Sequence, residues 1–168
     1  MAVRYPRGAA LGVARDSNLR QLSIGRGELL QDGSDLAIVA IGASVHEAVL
    51  ASQGLLSRGI KCAVVNARFI KPLDKDLILD LARRTGAVLT VEENVLSGGF
   101  GSALLEILAQ EGLDDVRVGR LGIPDVFVEH GSPSQLRAKY GLDASGIAKA
   151  AIDLLKTGPG LPVAASVD

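Results

Sequence analysis

The sequence predicts an α/β fold of three layers, α/β/α, with a mostly parallel sheet of about five strands and one antiparallel edge strand. Three observations carry this. Short apolar runs at 35–41, 61–67 ("KCAVVNA") and 87–93 ("AVLTVEE") alternate with longer stretches of helical period, the order of a parallel sheet joined by crossover helices. Hydrophobic residues make up 48% of the chain, yet Trp is absent and there are only three Phe and two Tyr, so the core has to be built from Val, Leu, Ile and Ala. Such a core suits strands buried on both faces. A chain of 168 residues is long enough for one ordinary domain and too short for two.

Taken in order, residues 1–23 read as an interdomain linker and the start of a fragment, with "MAVRYPRG" looking like a chain that opens in mid-sequence behind an added Met. The domain proper spans 24–156. Asp32-Gly33 between two apolar segments predicts a hairpin, with 24–30 the antiparallel edge strand carrying Arg26 and Glu28, and 35–41 the buried one. Ser44 is expected to N-cap a helix through Val45, Ala48, Val49, Leu55 and Leu56 that stops before Gly59. After the strand at 61–67, "RFIKPL" forms a corner in which Arg68 reads as an ion-pair partner. Pro72 and Asp74 open the next helix, which closes on Arg83, Arg84 and Gly86, the termini that the helix dipole and the left-handed cap favour. Phe100, Ala103, Leu104, Ile107 and Leu108 make a well-spaced apolar stripe after the strand at 87–93. "DVRVGRLGI" is the last strand, Ser132-Pro133 opens a short helix, and Asp143 caps a final one with Ile147, Ala151, Leu154 and Leu155 inward. The Gly- and Pro-rich 157–168 reads as a flexible tail.

A net charge of -1 excludes the basic footprint of a nucleic-acid binder and a polybasic membrane patch, and no apolar run approaches bilayer-spanning length. The lone Cys62 cannot form an internal disulfide and reads as a small buried hydrophobe in a reducing compartment. "VEENVLSGGFGS" at 91–102 lies at a strand's carboxyl end, where α/β sheets collect ligands. It lacks the Lys-Ser/Thr of a P-loop and the G-x-G-x-x-G spacing, and Glu92 and Glu93 point to opposite faces of a strand. Two readings stand: Glu93 bonding loop N–H groups while the glycines permit the turn, or direct catalysis. Ser97 and Ser102 read as caps, and His46 as solvated or capping. Glu129-His130-Gly131 offers a loop His bonded to backbone or a neighbouring domain, or a general base. No metal ligand set is expected, because no Cys or carboxylate cluster stands at ligand spacing to His46 or His130. Arg4 and Arg7 bracket Tyr5-Pro6, and Pro6 with Gly8 would hold the Arg7 guanidinium in place for a phosphate; an exposed terminal Arg is the alternative.

"AVRYPRG" at 2–8, "RFIKPLD" at 68–74, "VEENVLSGGFGSALLE" at 91–106 and "LGIPDVFVEHGSPSQLRAKYGLDASGI" at 121–147 together resemble the C-terminal third of the 1-deoxy-D-xylulose-5-phosphate synthase family, transketolase-type thiamine diphosphate enzymes. The resemblance implies an intact enzyme that is a cytoplasmic bacterial or a plastid homodimer. It would join pyruvate to D-glyceraldehyde 3-phosphate with loss of carbon dioxide, serving isoprenoid and thiamine biosynthesis. It further implies that Arg7 contacts the aldehyde's phosphate, and that thiamine diphosphate and Mg2+ are held by upstream domains. This chain would then bind neither and be inactive alone. Its part would be architectural, with Glu93, Asn94, Gly98, Gly99 and His130 shaping loops or contacts. A free-standing flavodoxin-like nucleotide-binding module at Gly42-Ala43-Ser44 and Gly98–Ser102 is a second reading. The matching domain of another transketolase-type enzyme, such as a 2-oxo acid dehydrogenase beta subunit, is a third.

Overall fold

The computed structural model describes residues 2–5, 21–157 and 163–164. Its elements are β1 (Glu28–Gln31), β2 (Leu36–Ala40), α1 (Ser44–Leu56), β3 (Cys62–Asn66), α2 (Lys75–Thr85), β4 (Ala87–Val95), α3 (Phe100–Gln110), β5 (Arg117–Ile123), α4 (Pro133–Lys139), α5 (Ala144–Lys156) and β6 (Val163–Ala164). The strands form one sheet in the order β1-β3-β2-β4-β5-β6; β1 is antiparallel to β3 and the other pairings are parallel.

Alternation along the strands divides the core in two. Leu36, Ile38, Val64, Leu89 and Val91 face one side, against Ala48 and Leu55 of α1 and Ile147 and Ala151 of α5. Ala37, Val39, Val65 and Val88 face the other, against Ile78 and Leu81 of α2 and Phe100 and Leu104 of α3. The aliphatic composition thus becomes a sheet sealed by helices on both faces, as expected. Helix α2 ends as its sequence predicts: Asp74 accepts from Leu77 N–H at the start, and Gly86 closes it at φ 63°.

Three expectations need correction. No β1–β2 hairpin forms. Asp35 N–H donates to the Lys61 carbonyl at 2.9 Å and the Asp35 carboxylate accepts from Lys61 N–H at 2.7 Å, which aligns the starts of β2 and β3 as parallel neighbours. Every residue of β2 is buried, so that strand takes β3 and β4 as neighbours and leaves β1 outside β3. There the predicted Arg68 ion pair fastens it, to Glu28 at 2.5 Å. Ser44 is not the cap of α1: Ala43 holds that position without a side-chain bond, and Ser44 Oγ is buried with no protein partner. In the expected flexible tail, Val163–Ala164 form a two-residue strand beside Gly119 and Arg120.

The crossing from β1 to β2 is tight. A Cβ on Gly33 would lie 2.3 Å from the Cys62 carbonyl carbon, whereas one on Gly54, exposed near the end of α1, would meet nothing within 4 Å. Gly33→Ala is therefore expected to destabilise by about 1–3 kcal/mol or more. Gly54→Ala should stabilise by roughly 0.5–1 kcal/mol through helix propensity. Urea unfolding of the two variants checks this; equal effects would contradict the crossing geometry.

Candidate functional site

Helix α1 carries the chain from β2 outward to β3, while α3 carries it from β4 the opposite way to β5. The strand order reverses between β2 and β4, and their carboxyl ends flank the crevice where doubly wound sheets take ligands. The occupant of the α3 end is the protein itself. Glu92 is 1% exposed, and its two carboxylate oxygens accept from Phe100 N–H at 2.7 Å and Gly101 N–H at 2.8 Å. These donors are the ones a phosphate would use at a helix N-terminus. An incoming anion would instead meet a fixed negative charge, repelled by about 4 kcal/mol per pair of unit charges 4 Å apart. That argues against anion binding at Gly98–Ser102, one of the two strand ends on which the nucleotide-module reading rests.

The glycines follow from this tie. A Cβ on Gly99 would sit 2.5 Å from a Glu92 carboxylate oxygen and 2.3 Å from the Val95 carbonyl oxygen; one on Gly101 would sit 2.6 Å from Thr90 Oγ1. Gly98 has φ 69°, the left-handed turn. Below the loop, Arg120 of β5 donates to the Leu96 carbonyl at 3.2 Å and to Ser102 Oγ at 3.0 Å. Ser102 Oγ donates to the Leu96 carbonyl rather than capping α3, whose N-cap, Gly99, has no side chain; Ser97 is exposed.

Glu93 does not bond the loop amides, so the role expected of it belongs to Glu92. Its carboxylate instead accepts from Arg137 Nε of α4 at 2.5 Å, and its carbonyl accepts from Arg4 Nη2 at 3.2 Å. Asn94 is half-buried, and its carbonyl lies where a Cβ on Gly122 would be 3.0 Å away. In the loop between β5 and α4, the Glu129 carboxylate is bonded by Lys139 Nζ and, at 3.0 Å, by Tyr140 OH. The Lys139 bond, then bonds from the loop backbone and Tyr140, pull the Glu129 carboxyl down to about 2. His130 beside it is exposed, as is His46 on α1. Burial, with help from Asp35, pushes the Cys62 thiol up to about 11, so it is the inert hydrophobe expected. Arg7 lies outside the described residues. Among the described residues there is no group of three or more His, Cys, Asp or Glu able to hold a metal ion, and no helix is long and apolar enough to cross a membrane.

The signal that would have assigned Glu92 was present in the sequence. It shares strand parity with Val88, which faces α3, whereas Glu93 shares the opposite parity with Leu89 and Val91. Arg4, Arg120 and Arg137 left no such trace, since their partners are backbone carbonyls or residues far along the chain.

The family model for the transketolase C-terminal domain matches residues 25–147. A 1-deoxy-D-xylulose-5-phosphate synthase 1 of Geobacter sulfurreducens is 57% identical over 150 residues, 89% of this chain and 24% of that protein. The synthase of Heliobacterium modesticaldum is 58% identical over 92% of this chain and 24% of its own length. The chain therefore spans about a quarter of the length of the curated relatives it matches. Among solved structures, a split-gene transketolase in an inactive β4 tetramer is similar with a TM-score of 0.76 and 39% identity, over 81% of this chain and 44% of that one.

Glu92→Ala should cost about 2–5 kcal/mol, because it leaves two buried N–H groups without an acceptor. Glu93→Ala should cost about 1 kcal/mol or less, losing a partly exposed pair. Chemical denaturation compares them, and the reverse order would return the capping role to Glu93. The Glu129 contacts form a depressed-carboxylate linkage. Their stabilisation is fully present above the ordinary carboxyl range near 4.5 and is lost as pH falls toward 2. A carboxyl-detected NMR titration should find Glu129 still ionised at pH values where an ordinary Glu is protonated; an ordinary midpoint would refute the brace.

Proposed function

The chain belongs to the transketolase C-terminal domain family, and on that footing we propose that it is the C-terminal domain of a thiamine diphosphate-dependent synthase. That enzyme condenses pyruvate with D-glyceraldehyde 3-phosphate to carbon dioxide and 1-deoxy-D-xylulose 5-phosphate. The observation that carries the reading is the match at 57% identity that runs along nearly all of this chain yet only 24% of the relative. The structure is compatible with an architectural role: the first amides of α3, which could otherwise take a diphosphate, are filled by Glu92, and that end of the crevice does not fit the cofactor. We assign the grips on thiamine diphosphate and Mg2+ to the rest of a longer polypeptide. The whole enzyme is proposed to be a cytoplasmic homodimer, to whose assembly this domain contributes.

Arg7 is the residue we assign to the substrate. A guanidinium offers paired N–H donors to phosphate oxygens and moves no proton, so its effect is on binding and placement of the aldehyde. Arg4, three residues earlier, supports this by tying the incoming segment to the Glu93 carbonyl at the carboxyl end of β4.

The chain alone is expected to release no carbon dioxide from pyruvate and glyceraldehyde 3-phosphate; clear turnover would overturn the architectural reading. With this chain replacing the corresponding part of the Geobacter sulfurreducens synthase, Arg7→Ala should raise KM for the aldehyde roughly tenfold or more. That corresponds to loss of a charge-assisted bond of about 1.5–3 kcal/mol, with the KM for pyruvate little changed. An unaltered aldehyde KM would remove Arg7 from the site.

A further inference from the structure

Resting on the reading that this chain is one part of a longer transketolase-type polypeptide, we propose that loop 124–131 anchors the domain to the preceding part of that polypeptide, with Phe127 as the inserted side chain. Phe127 has a relative accessibility of 105%, and Val126 and Val128 beside it have 55% and 39%. Three consecutive apolar side chains held in water forgo the burial that would stabilise them. Such a patch marks a surface that becomes covered. The loop carrying it is not slack. Glu129, the next residue, is held by Lys139 and Tyr140, and α4 is held in turn by the Arg137–Glu93 pair at the end of β4. An aromatic side chain presented on a braced backbone loses little further entropy on docking.

The same contacts identify the occupant. Arg4 reaches the carbonyl of that same Glu93, so segment 2–5 lies at this corner, with Val3 and Tyr5 themselves 73% and 82% exposed. In the synthase relatives the matched stretch is the C-terminal part, so the polypeptide that precedes it there arrives at the Glu93 corner, to which loop 124–131 is tied through α4. A second copy of this chain has no such approach fixed for it.

The test fuses this chain in place of the C-terminal part of the Geobacter sulfurreducens synthase and compares amide hydrogen exchange with that of the 168-residue chain alone. Amides of 124–131 should exchange at least about tenfold more slowly in the fusion. Phe127→Ser should restore the rate of the free chain and leave the amides of β2 and β4 protected. Equal exchange in fusion and free chain would overturn the proposal. Phe127→p-benzoylphenylalanine gives a second measurement: a photoadduct to the preceding part supports the assignment, and one between two copies of loop 124–131 overturns it. A fusion that makes product while the loop exchanges freely would sink the anchor alone. A protected loop without product would count against the catalytic reading and leave the anchor standing.

Discussion

The bond from the buried Glu92 carboxylate to the first amides of α3 is the constraint on which the carboxyl end of this domain depends. A charge at 1% exposure is tolerable only where hydrogen bonds and a favourable dipole replace its water, and both oxygens here are engaged by a helix N-terminus. The tie draws α3 down onto β4 so closely that positions 99 and 101 have no room for a Cβ. Phe100 is consequently placed, 1% exposed, under the same helix, where it seeds the packing of Leu104, Ile107 and Leu108 on the sheet. One carboxylate thereby fixes a helix, a glycine pattern and half of a core.

The opposite face of β4 is used differently. Glu93 turns toward α4, a helix of seven residues with no buried side chain of its own, and holds it through Arg137. Helix α4 then holds loop 124–131 through Lys139, and Tyr140 just beyond it adds its hydroxyl while its ring is buried against the core. The order of attachment runs from the strand outward, from the partly buried Arg137–Glu93 pair to the more exposed Lys139–Glu129 pair. Leu136 packs this otherwise exposed helix on the core, and the charged contacts of Arg137 and Lys139 in its last turn tie it to β4 on one side and to loop 124–131 on the other.

Much of this was legible in the sequence, for identifiable reasons. Element order, the caps at Asp74, Gly86, Ser132 and Asp143, and the aliphatic core depend on local chemistry and on periodicity, which a single chain displays. The hairpin expected at Asp32-Gly33 failed because the same dipeptide serves a crossing, and only the pull of the Asp35–Lys61 bonds on β2 and β3 distinguishes the two. Ser44 was misread as a cap because its stripe position, in line with Ala48, Ala51 and Leu55, points it at the sheet. Glu93 was given the role that Glu92 holds because the two faces of the strand were not matched to their helices: parity with Val88 puts Glu92 on the face that α3 covers. The roles of Arg4 and Arg137 depend on tertiary neighbours and were not readable at all.

A division of labour follows from where the charges lie. At the α3 end of the crevice the favourable helix terminus is already neutralised by an internal carboxylate, and at the β4 corner Arg137 and Lys139 are each committed to a glutamate. Such a surface has little cation left with which to bind a phosphorylated substrate through its folded framework. The proposed role of Arg7 would bring such a cation on the segment that leads in from Arg4, whose own guanidinium takes a backbone carbonyl and leaves the acidic side chains to their partners. On the proposed reading, a domain built this way would contribute position more than chemistry, because a guanidinium displaced by about 1 Å loses much of its worth to catalysis.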